Sequence, residues 1–483
     1  MPQPDPTRLA VLGLLLLSAC VAPEGAPMPA TGKAGLTLAA DPRVTEGRSV
    51  QTSGKVQHYG LPQMIDLALA NNPRTRAAWE RSRQAAAAVG LVDSAYLPRI
   101  SAEILAGANR GSSAGAQDPL GILPPGQVET STGVGAAVIS VQWLLFDFGV
   151  RDAVRTAATE LSFAANVGFT AIHQTLVYEV TQAYYDLQAA AGRESLHRSR
   201  LNATEEIAAM VTARRGQELA TVTEQAQADQ LVAQAKFDLT RAQSETAIAS
   251  TRLATLAGLP PGTRIQTDPS AQLNLPATPP PRLDAFLTEA LQRRPDLQAA
   301  FARARASRAN AEAVEAAFRP KIVASAALGR TMLGGSITDD RIGGIAADTD
   351  RSVSGLYLGI SIPLWDGNAR KLRREAAEAD VAAAEAEADQ LRRLAEGEII
   401  AAYEALKAAL AANAAAGELV ATAETTYDAA RSMAEQGLVN VAEVDVALRM
   451  LYDARIARLE AQHSVRSAAA LLAFATGQIG AGL

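Results

Sequence analysis

The side chains that could carry out chemistry are few and widely separated in this 483-residue sequence. None of its four histidines lies beside a cysteine or a second histidine at the spacing of metal ligands; they are His58, His173, His197 and His463. Gly133-Val134-Gly135 lacks a third glycine and lies in a predicted strand, so it is no phosphate-binding loop. The adjacent acids Glu205 and Glu206 lie in a helical run and are expected on a solvated face. The sequence therefore predicts no enzyme, no metal site and no bound cofactor.

The one cysteine, Cys20, follows a short apolar segment near the N-terminus. Arg8 precedes the apolar run Leu9 to Leu17, and Ser18-Ala19 ends that run with small residues. This pattern is typical of a secretory signal that is too short to anchor the chain as a helix. Its ending resembles a bacterial lipoprotein signal, which implies removal of residues 1–19 and a covalent lipid on Cys20. The alternative is a free cysteine beside an ordinary cleavage site.

Composition favours long helices and argues against nucleic acid as a partner. Aromatic residues make up only 4% of the chain, and alanine, glutamate, glutamine and arginine dominate the longer periodic segments. The net charge of −6 is mild and both signs are interspersed, so there is no basic surface for nucleic acid. We find no run of about 20 apolar residues, the length of a spanning helix. If the chain crosses a membrane, it is expected to do so as strands.

Two stretches alternate with a period of two, as strands do. The first hairpin is predicted over residues 98–110 and 132–146, and the second over residues 320–330 and 353–364, with a Gly/Asp-rich loop at 334–350 in the second hairpin. One parity of each strand is aliphatic, which suits contact with lipid acyl chains. Glu103 and Asn109 fall on the opposite parity. They are interpreted either as pore-lining groups or as ordinary polar groups of an edge strand. Trp143 and Trp365 lie at strand ends. They are expected either in an aromatic belt at the membrane interface or in the core between strand and helix.

Each predicted hairpin is followed by a long helical hairpin. The first covers residues 150–257 and turns near Gly216, and the second covers 366–476 and turns at Gly437-Leu438. Similar landmarks recur at offsets of 219 to 222 residues, so the chain is an internal duplication with repeats at 61–260 and 283–483. A Pro/Gly-rich tether at 20–60 and a Pro-rich linker at 261–282 complete the organisation.

Four strands do not close a barrel, and lipid does not tolerate open strand edges. The nearest source of further strands is another copy of the chain around a rotation axis. Three copies provide twelve strands, a usual number for an outer-membrane barrel. The predicted fold is therefore mainly α with a small membrane β part, assembled as a trimer with a twelve-stranded barrel on a helical barrel.

These features resemble the TolC-type outer-membrane factor family, in particular its lipoprotein members. The resemblance rests on the repeated helix-Pro-strand junctions, the segment Trp365-Asp366-Gly367-Asn368-Ala369-Arg370, the turn Gly437-Leu438-Val439 and the start of the second repeat at Arg294-Pro295-Asp296-Leu297. It implies an outer-membrane homotrimer that extends into the periplasm, serves as a passive, gated export conduit and docks a periplasmic adaptor coupled to an inner-membrane transporter. Small-molecule efflux is favoured over type I protein secretion. The alternative is a periplasmic coiled-coil scaffold or adaptor without channel activity.

The resemblance also assigns roles to the two helical turns. Gly437-Leu438 keeps the Gly-Leu turn by which the family docks its adaptor, whereas Gly216-Gln217-Glu218 departs from it. Glu443 lies where the family places an acid around the periplasmic aperture, and Val222 is taken as its counterpart in the first repeat. One acid per protomer is thus expected there. The alternative for Glu443 is a solvated acid that the helix dipole favours at a helix N-terminus. The alternative for Gly437 is a simple C-cap.

Overall fold

A computed structural model describes residues 57–114, 126–260, 262–267, 283–340, 343–436 and 438–479. These ranges form β1 (Gln57–Tyr59), α1 (Leu61–Asn71), α2 (Pro73–Ser94), β2 (Arg99–Ala114), β3 (Gln127–Phe146), α3 (Val150–Gly216), α4 (Val222–Leu256), β4 (Ile265–Thr267), α5 (Leu283–Arg293), α6 (Pro295–Ala316), β5 (Lys321–Asp339), β6 (Gly343–Ser361), α7 (Ala369–Glu435) and α8 (Val441–Ala475). Cys20, Gly437, most of the tether and most of the Pro-rich linker lie outside the described residues.

The two halves of the chain have helices of identical length in the same order. Helices α1 and α5 both have 11 residues, α2 and α6 have 22, α3 and α7 have 67, and α4 and α8 have 35. From the first residues of these helices, the offset is 283 − 61 = 222 before the hairpins and 369 − 150 = 219 after them. A 67-residue helix is about 100 Å long at about 1.5 Å per residue.

The strands are longer on the loop side than the sequence indicates. The Gly/Asp-rich segment predicted as a loop at 334–350 is mostly strand, because β5 and β6 pair out to Asp339 and Gly343. The strand predicted at 353–364 ends at Ser361, two residues before Pro363, which has no N–H for a ladder. Likewise β2 and β3 pair out to Ala114 and Gln127, beyond the predicted bounds of 110 and 132. Cross-strand pairing thus overrides the low strand propensity of glycine and aspartate.

Four strands form one antiparallel sheet in the order β2-β3-β5-β6, so each repeat contributes one hairpin and the repeats meet at β3 and β5. Strands β2 and β6 are its edges. A second, two-stranded parallel sheet joins β1 to β4, so the segment before the first repeat pairs with the segment after it.

The apolar core follows the middle of the long helices. Its largest cluster surrounds Tyr184 of α3, which is fully buried, and combines side chains of α1, α3, α4 and β4. A second cluster joins α7 and α8 around Ile399 and Leu406. Most other buried positions are alanines, which allow neighbouring helices to approach closely.

One helix has a segment apolar enough to cross a membrane by length and composition. An 18-residue window of α7 has a mean hydropathy of 1.2, and 28% of that window is buried. The sequence analysis expected no such segment, and this window differs from that expectation because alanine, which is only weakly apolar, dominates it.

Candidate functional site

One face of the four-stranded sheet is aliphatic and exposed. The strand register places the following side chains on this face: Ile100, Ala102, Ile104, Ile139, Val141, Trp143, Ala324, Ala326, Leu328, Leu356, Leu358 and Ile360. Leu356 is 81% exposed and Ile104 is 86% exposed. Such large contiguous apolar patches on a protein surface mark a partner or a membrane. Toward the loops, an ion pair between Arg330 and Asp350 ends the aliphatic band on this face.

The opposite face carries small, polar and some aliphatic side chains. Glu103 and Asn109 of β2 both lie on it, opposite Val138 and Thr132 of β3. Both are exposed. Ser101 lies on the same face and its hydroxyl is 2.9 Å from that of Ser140. The structure therefore brings the two predicted pore-lining residues to one face, away from the aliphatic band.

The sheet meets the helices at two junctions of unequal strength. At the first, Asp147 accepts hydrogen bonds from the backbone N–H and the Nε of Arg151, both at 3.0 Å. The Arg151 guanidinium also donates to the carbonyls of Ala95, Leu144 and Leu145, at 3.1, 2.8 and 3.1 Å. The Asp147 and Arg151 side chains are only 7% and 11% exposed. This network fixes the direction in which α3 leaves β3.

At the second junction the counterparts Asp366 and Arg370 are exposed. Asp366 accepts a hydrogen bond from the Arg370 backbone N–H at 2.8 Å, and the Arg370 guanidinium lies 5.5 Å from the Phe318 ring. The two predicted interface tryptophans lie at these junctions. Trp143 donates its indole N–H to the Tyr96 carbonyl at 2.9 Å and is 41% exposed, whereas Trp365 is 89% exposed.

The turn between α3 and α4, the first tip, is built on a strained glutamate. Glu218 has φ 62°, a left-handed conformation that side chains other than glycine rarely adopt. The Leu219 N–H donates to the Arg214 carbonyl at 2.9 Å, and the Leu219 side chain is 63% exposed. Gly216, the predicted turn residue, is instead the last residue of α3.

The first tip ends in a capping box at the start of α4. The Thr221 hydroxyl accepts a hydrogen bond from the Glu224 N–H at 3.2 Å, and the Glu224 carboxylate accepts one from the Thr221 N–H at 2.7 Å. The backbone and hydroxyl hydrogen bonds from Thr221 lower the pKa of Glu224 below its ordinary value.

The turn between α7 and α8, the second tip, repeats the leucine backbone hydrogen bond of the first tip but has no capping box among its described residues. The Leu438 N–H donates to the Met433 carbonyl at 2.9 Å, and Leu438 is 70% exposed. Asn440 caps α8, since its side-chain oxygen accepts from the Glu443 N–H at 3.0 Å. Among the described residues, no hydrogen bond or ion pair holds the exposed Glu443 carboxylate, which borders a groove of about 710 Å³ between α7 and α8.

The caps correct the comparison of the two tips made from the sequence. Thr221 and Asn440 differ by 219, as do Leu219 and Leu438, so Glu218 corresponds to position 437 and Glu224 corresponds to Glu443. The pairing of Gly216 with Gly437, and of Val222 with Glu443, was wrong by two residues because it aligned the two glycines. The chain therefore presents two acids at equivalent positions, Glu224 and Glu443. The motif Thr221-Val222-Thr223-Glu224 is the sequence signal that could have located the second acid.

Within the described ranges, no three His, Cys, Asp or Glu side chains are grouped closely enough to hold a metal ion. The candidate functional surfaces that occur in both repeats are thus the two faces of the sheet and the two tips.

Comparison with known proteins agrees with this architecture. A sequence profile of the family described as Outer membrane efflux protein matches residues 64–259 and 286–478, one segment in each repeat. The chain belongs to the outer membrane efflux protein family. It is 30% identical to Protein CyaE of Bordetella pertussis over 437 residues, which cover 88% of this chain and 85% of that protein. It is 28% identical to the pyoverdine export outer membrane protein OpmQ of Pseudomonas putida over 324 residues, 66% of each chain.

Two solved outer-membrane proteins share the fold. The outer-membrane channel OprN superposes with a TM-score of 0.71 at 22% identity, over 86% of this chain and 90% of that one. The outer membrane protein VceC of Vibrio cholerae superposes with a TM-score of 0.67 at 22% identity, over 86% of this chain and 96% of that one. The TolC-type resemblance, the outer-membrane location and the export-channel function predicted from the sequence are thereby confirmed.

Proposed function

We propose that three copies of this chain close into one twelve-stranded barrel, continued by a tube of long helices, through which small molecules leave the cell. The observation that carries this proposal is the sheet with one aliphatic exposed face and two free edges. Strands β2 and β6 run in opposite directions, so β6 of one copy pairs antiparallel with β2 of the next. Closure leaves no unpaired edge in lipid.

The dimensions of the aliphatic band suit a bilayer. On β6 and the segment after it, alternate aliphatic side chains run over nine residues, from Leu356 to Leu364. Transmembrane strands need about 9–11 residues when tilted. Trp143 and Trp365 lie at the helix end of the band, where the aromatic belt of the periplasmic interface belongs. Glu103 and Asn109, on the other face, line the pore.

The transport role is passive, and the energy comes from partners. An inner-membrane transporter supplies the energy through a periplasmic adaptor docked at the tips. Leu438 at the second tip is the main contact, and Leu219 at the first tip is secondary. A lipid on Cys20 anchors the N-terminus to the outer membrane.

Glu443 and Glu224 form the acidic lining of the periplasmic aperture. The Glu443 carboxylate has no internal partner in the described residues, so its charge is available to passing ions, whereas Glu224 is engaged by Thr221. Glu443 therefore dominates selectivity at this position.

Recording from planar bilayers tests the channel. Purified full-length chain is expected to give discrete, cation-selective conductance steps, and Glu443→Gln is expected to reduce that selectivity while Glu224→Gln changes it less. A scaffold without a channel would give no conductance steps. In cells, a deletion strain is expected to retain a small toxic compound and still to secrete its proteins; the reverse result would assign the duct to protein secretion.

A further inference from the structure

The second sheet-to-helix junction carries a dense group of cations at the start of α7. The following four side chains lie within five residues of one another and are exposed: Arg370, Lys371, Arg373 and Arg374. The first turn of α7 contains no acid. Because the positive end of the helix dipole disfavours cations, this placement calls for negative charge from elsewhere. The exposed pairs Lys371–Glu375 and Arg374–Glu378, at 3.7 and 3.2 Å, supply part of it.

The other two cations share one aromatic ring. The Arg370 guanidinium lies 5.5 Å from the centroid of the Phe318 ring, and the Arg373 guanidinium lies 6.0 Å from the same centroid. Both distances are in the range of cation–π contacts. Neither guanidinium forms an ion pair with a described residue, so the ring holds two like charges close together. An anion that bridges them would relieve their repulsion.

The first repeat has the same contact between ring and arginine, but with the charge neutralised. Tyr96 is the counterpart of Phe318 at the offset of 222 residues, and the Arg151 guanidinium lies 4.5 Å from the centroid of its ring. Arg151 is nearly buried and is paired with Asp147 at 3.0 Å. Asp152 accepts a hydrogen bond from the Tyr96 hydroxyl at 2.5 Å. Two acids therefore lie beside the one cation of this ring.

The second repeat reverses that balance of charge. At the offset of 219 residues, Lys371 lies where the first repeat has an acid, and Arg373 lies where it has Val154. The Asp366 carboxylate accepts the Arg370 backbone N–H at 2.8 Å and forms no ion pair with the guanidinium in the described chain. The excess of positive charge is thus specific to the second junction.

This junction lies at the helix end of the aliphatic band of the sheet. Trp365 lies four residues before α7 and is 89% exposed, and Leu364 beside it is 91% exposed. In the first repeat, Trp143 of the aliphatic face donates its indole N–H to the carbonyl of Tyr96, the residue equivalent to Phe318. The ring that carries the two arginines therefore lies level with the aromatic belt, where lipid headgroups begin.

We propose that Arg370 and Arg373 bind the phosphate of an anionic phospholipid in the periplasmic leaflet of the outer membrane. Guanidinium groups match the geometry of phosphate oxygens, and the neighbouring Lys371 and Arg374 add to the positive field that attracts anionic lipid. This inference rests on the membrane placement of the sheet in the proposed function. It adds a lipid site that the second repeat has and the first repeat lacks.

Lipid retention measured by native mass spectrometry tests this site. Full-length protein equilibrated in detergent with equal amounts of phosphatidylglycerol and phosphatidylcholine is expected to retain phosphatidylglycerol preferentially. Each cation near a membrane surface contributes about fivefold in affinity, so Arg370→Gln with Arg373→Gln is expected to lower this preference about tenfold or more. The matched control, Arg392→Gln with Arg393→Gln, removes the same charge from exposed sites farther along α7. It is expected to change the preference less than about twofold, because salt screens charges at that distance.

A single substitution and a soluble anion sharpen the test. Arg373→Val introduces the side chain that the first repeat has at this position, so the fold is expected to tolerate it, and the preference is expected to fall about fivefold. Sodium phosphate is expected to displace no more phosphatidylglycerol than sodium chloride of equal ionic strength. Greater displacement by phosphate would assign the two arginines to a soluble anion and overturn the lipid site.

The failure of this inference is distinguishable from failure of the proposed function. A conducting, trimeric parent that retains both lipids equally overturns the lipid site and leaves the proposed function standing. Loss of the trimer by the Arg370→Gln, Arg373→Gln variant in lipid-free detergent would assign these cations to a contact with a second copy, which also overturns the lipid site. A parent that is monomeric and gives no conductance overturns both.

Discussion

The two repeats have the same backbone plan but fix it with different side chains. The first repeat locks its sheet-to-helix junction with the buried Asp147–Arg151 pair, and its tip engages Glu224 in a capping box. The second repeat leaves Asp366 exposed at its junction and Glu443 exposed at its tip. We infer that the first repeat acts mainly as the rigid part of the wall. In the proposed function, the second repeat presents the groups that contact adaptor and solute.

The largest difference is expected at the two junctions. Asp147→Ala leaves the Arg151 guanidinium buried without its carboxylate and is expected to destabilise the chain by about 3 kcal/mol. Asp366→Ala removes an exposed hydrogen bond to the backbone of α7 and is expected to cost about 1 kcal/mol. Chemical denaturation in detergent micelles measures both. Equal losses would contradict the assignment of the first junction as the rigid one.

At the tips, the exposed leucines are expected to differ in their effect on docking. Burying a leucine side chain contributes about 1.5–3 kcal/mol, so Leu438→Ala is expected to weaken adaptor binding by about tenfold or more. Leu219→Ala is expected to change binding by less than about threefold, because Glu218 beside it keeps a charge at the turn. Surface plasmon resonance with the purified adaptor measures both variants. A larger loss for Leu219→Ala would reverse the assignment of main and secondary contacts.

The strained turn gives a gain of stability at the first tip. Glycine adopts positive φ without the steric cost that Glu218 incurs, so Glu218→Gly is expected to stabilise the chain by about 1 kcal/mol. Glu218→Ala, which keeps a Cβ, is the matched control and is expected to give no such gain. Thermal unfolding followed by circular dichroism distinguishes them. No gain from glycine would show that φ 62° costs little here.

The smallest predicted effect is a pH dependence confined to the first tip. Because the pKa of Glu224 is lowered in the folded chain, its cap is fully stabilising above the ordinary glutamate pKa and is lost as the pH falls through the lowered value. The Asn440 side chain does not titrate. Hydrogen-exchange protection at the start of α4 is therefore expected to fall at acidic pH more than at the start of α8. Thr221→Ala is expected to abolish this difference.

Much of this architecture could be predicted from the sequence because its signals are local. The period of two, the prolines before each hairpin and the long helical periodicity indicate elements and order without reference to contacts. The extensions of β5 and β6 could not be predicted, since Gly334 and Asp348 become strand only by pairing with each other. The alignment of the two tips predicted from the sequence was wrong for a related reason. Gly216 is the conspicuous residue in the sequence, but the caps at Thr221 and Asn440 set the true alignment.

The central claim is that β6 of one copy pairs with β2 of the next, so that three chains make one barrel. Electron cryomicroscopy of the full-length protein in lipid nanodiscs tests it directly. We expect a threefold particle with twelve strands in the bilayer, in which Leu356 faces lipid and Glu103 faces the pore. A monomer in which β2 and β6 stay unpaired, or any closed sheet within a single chain, would contradict the account.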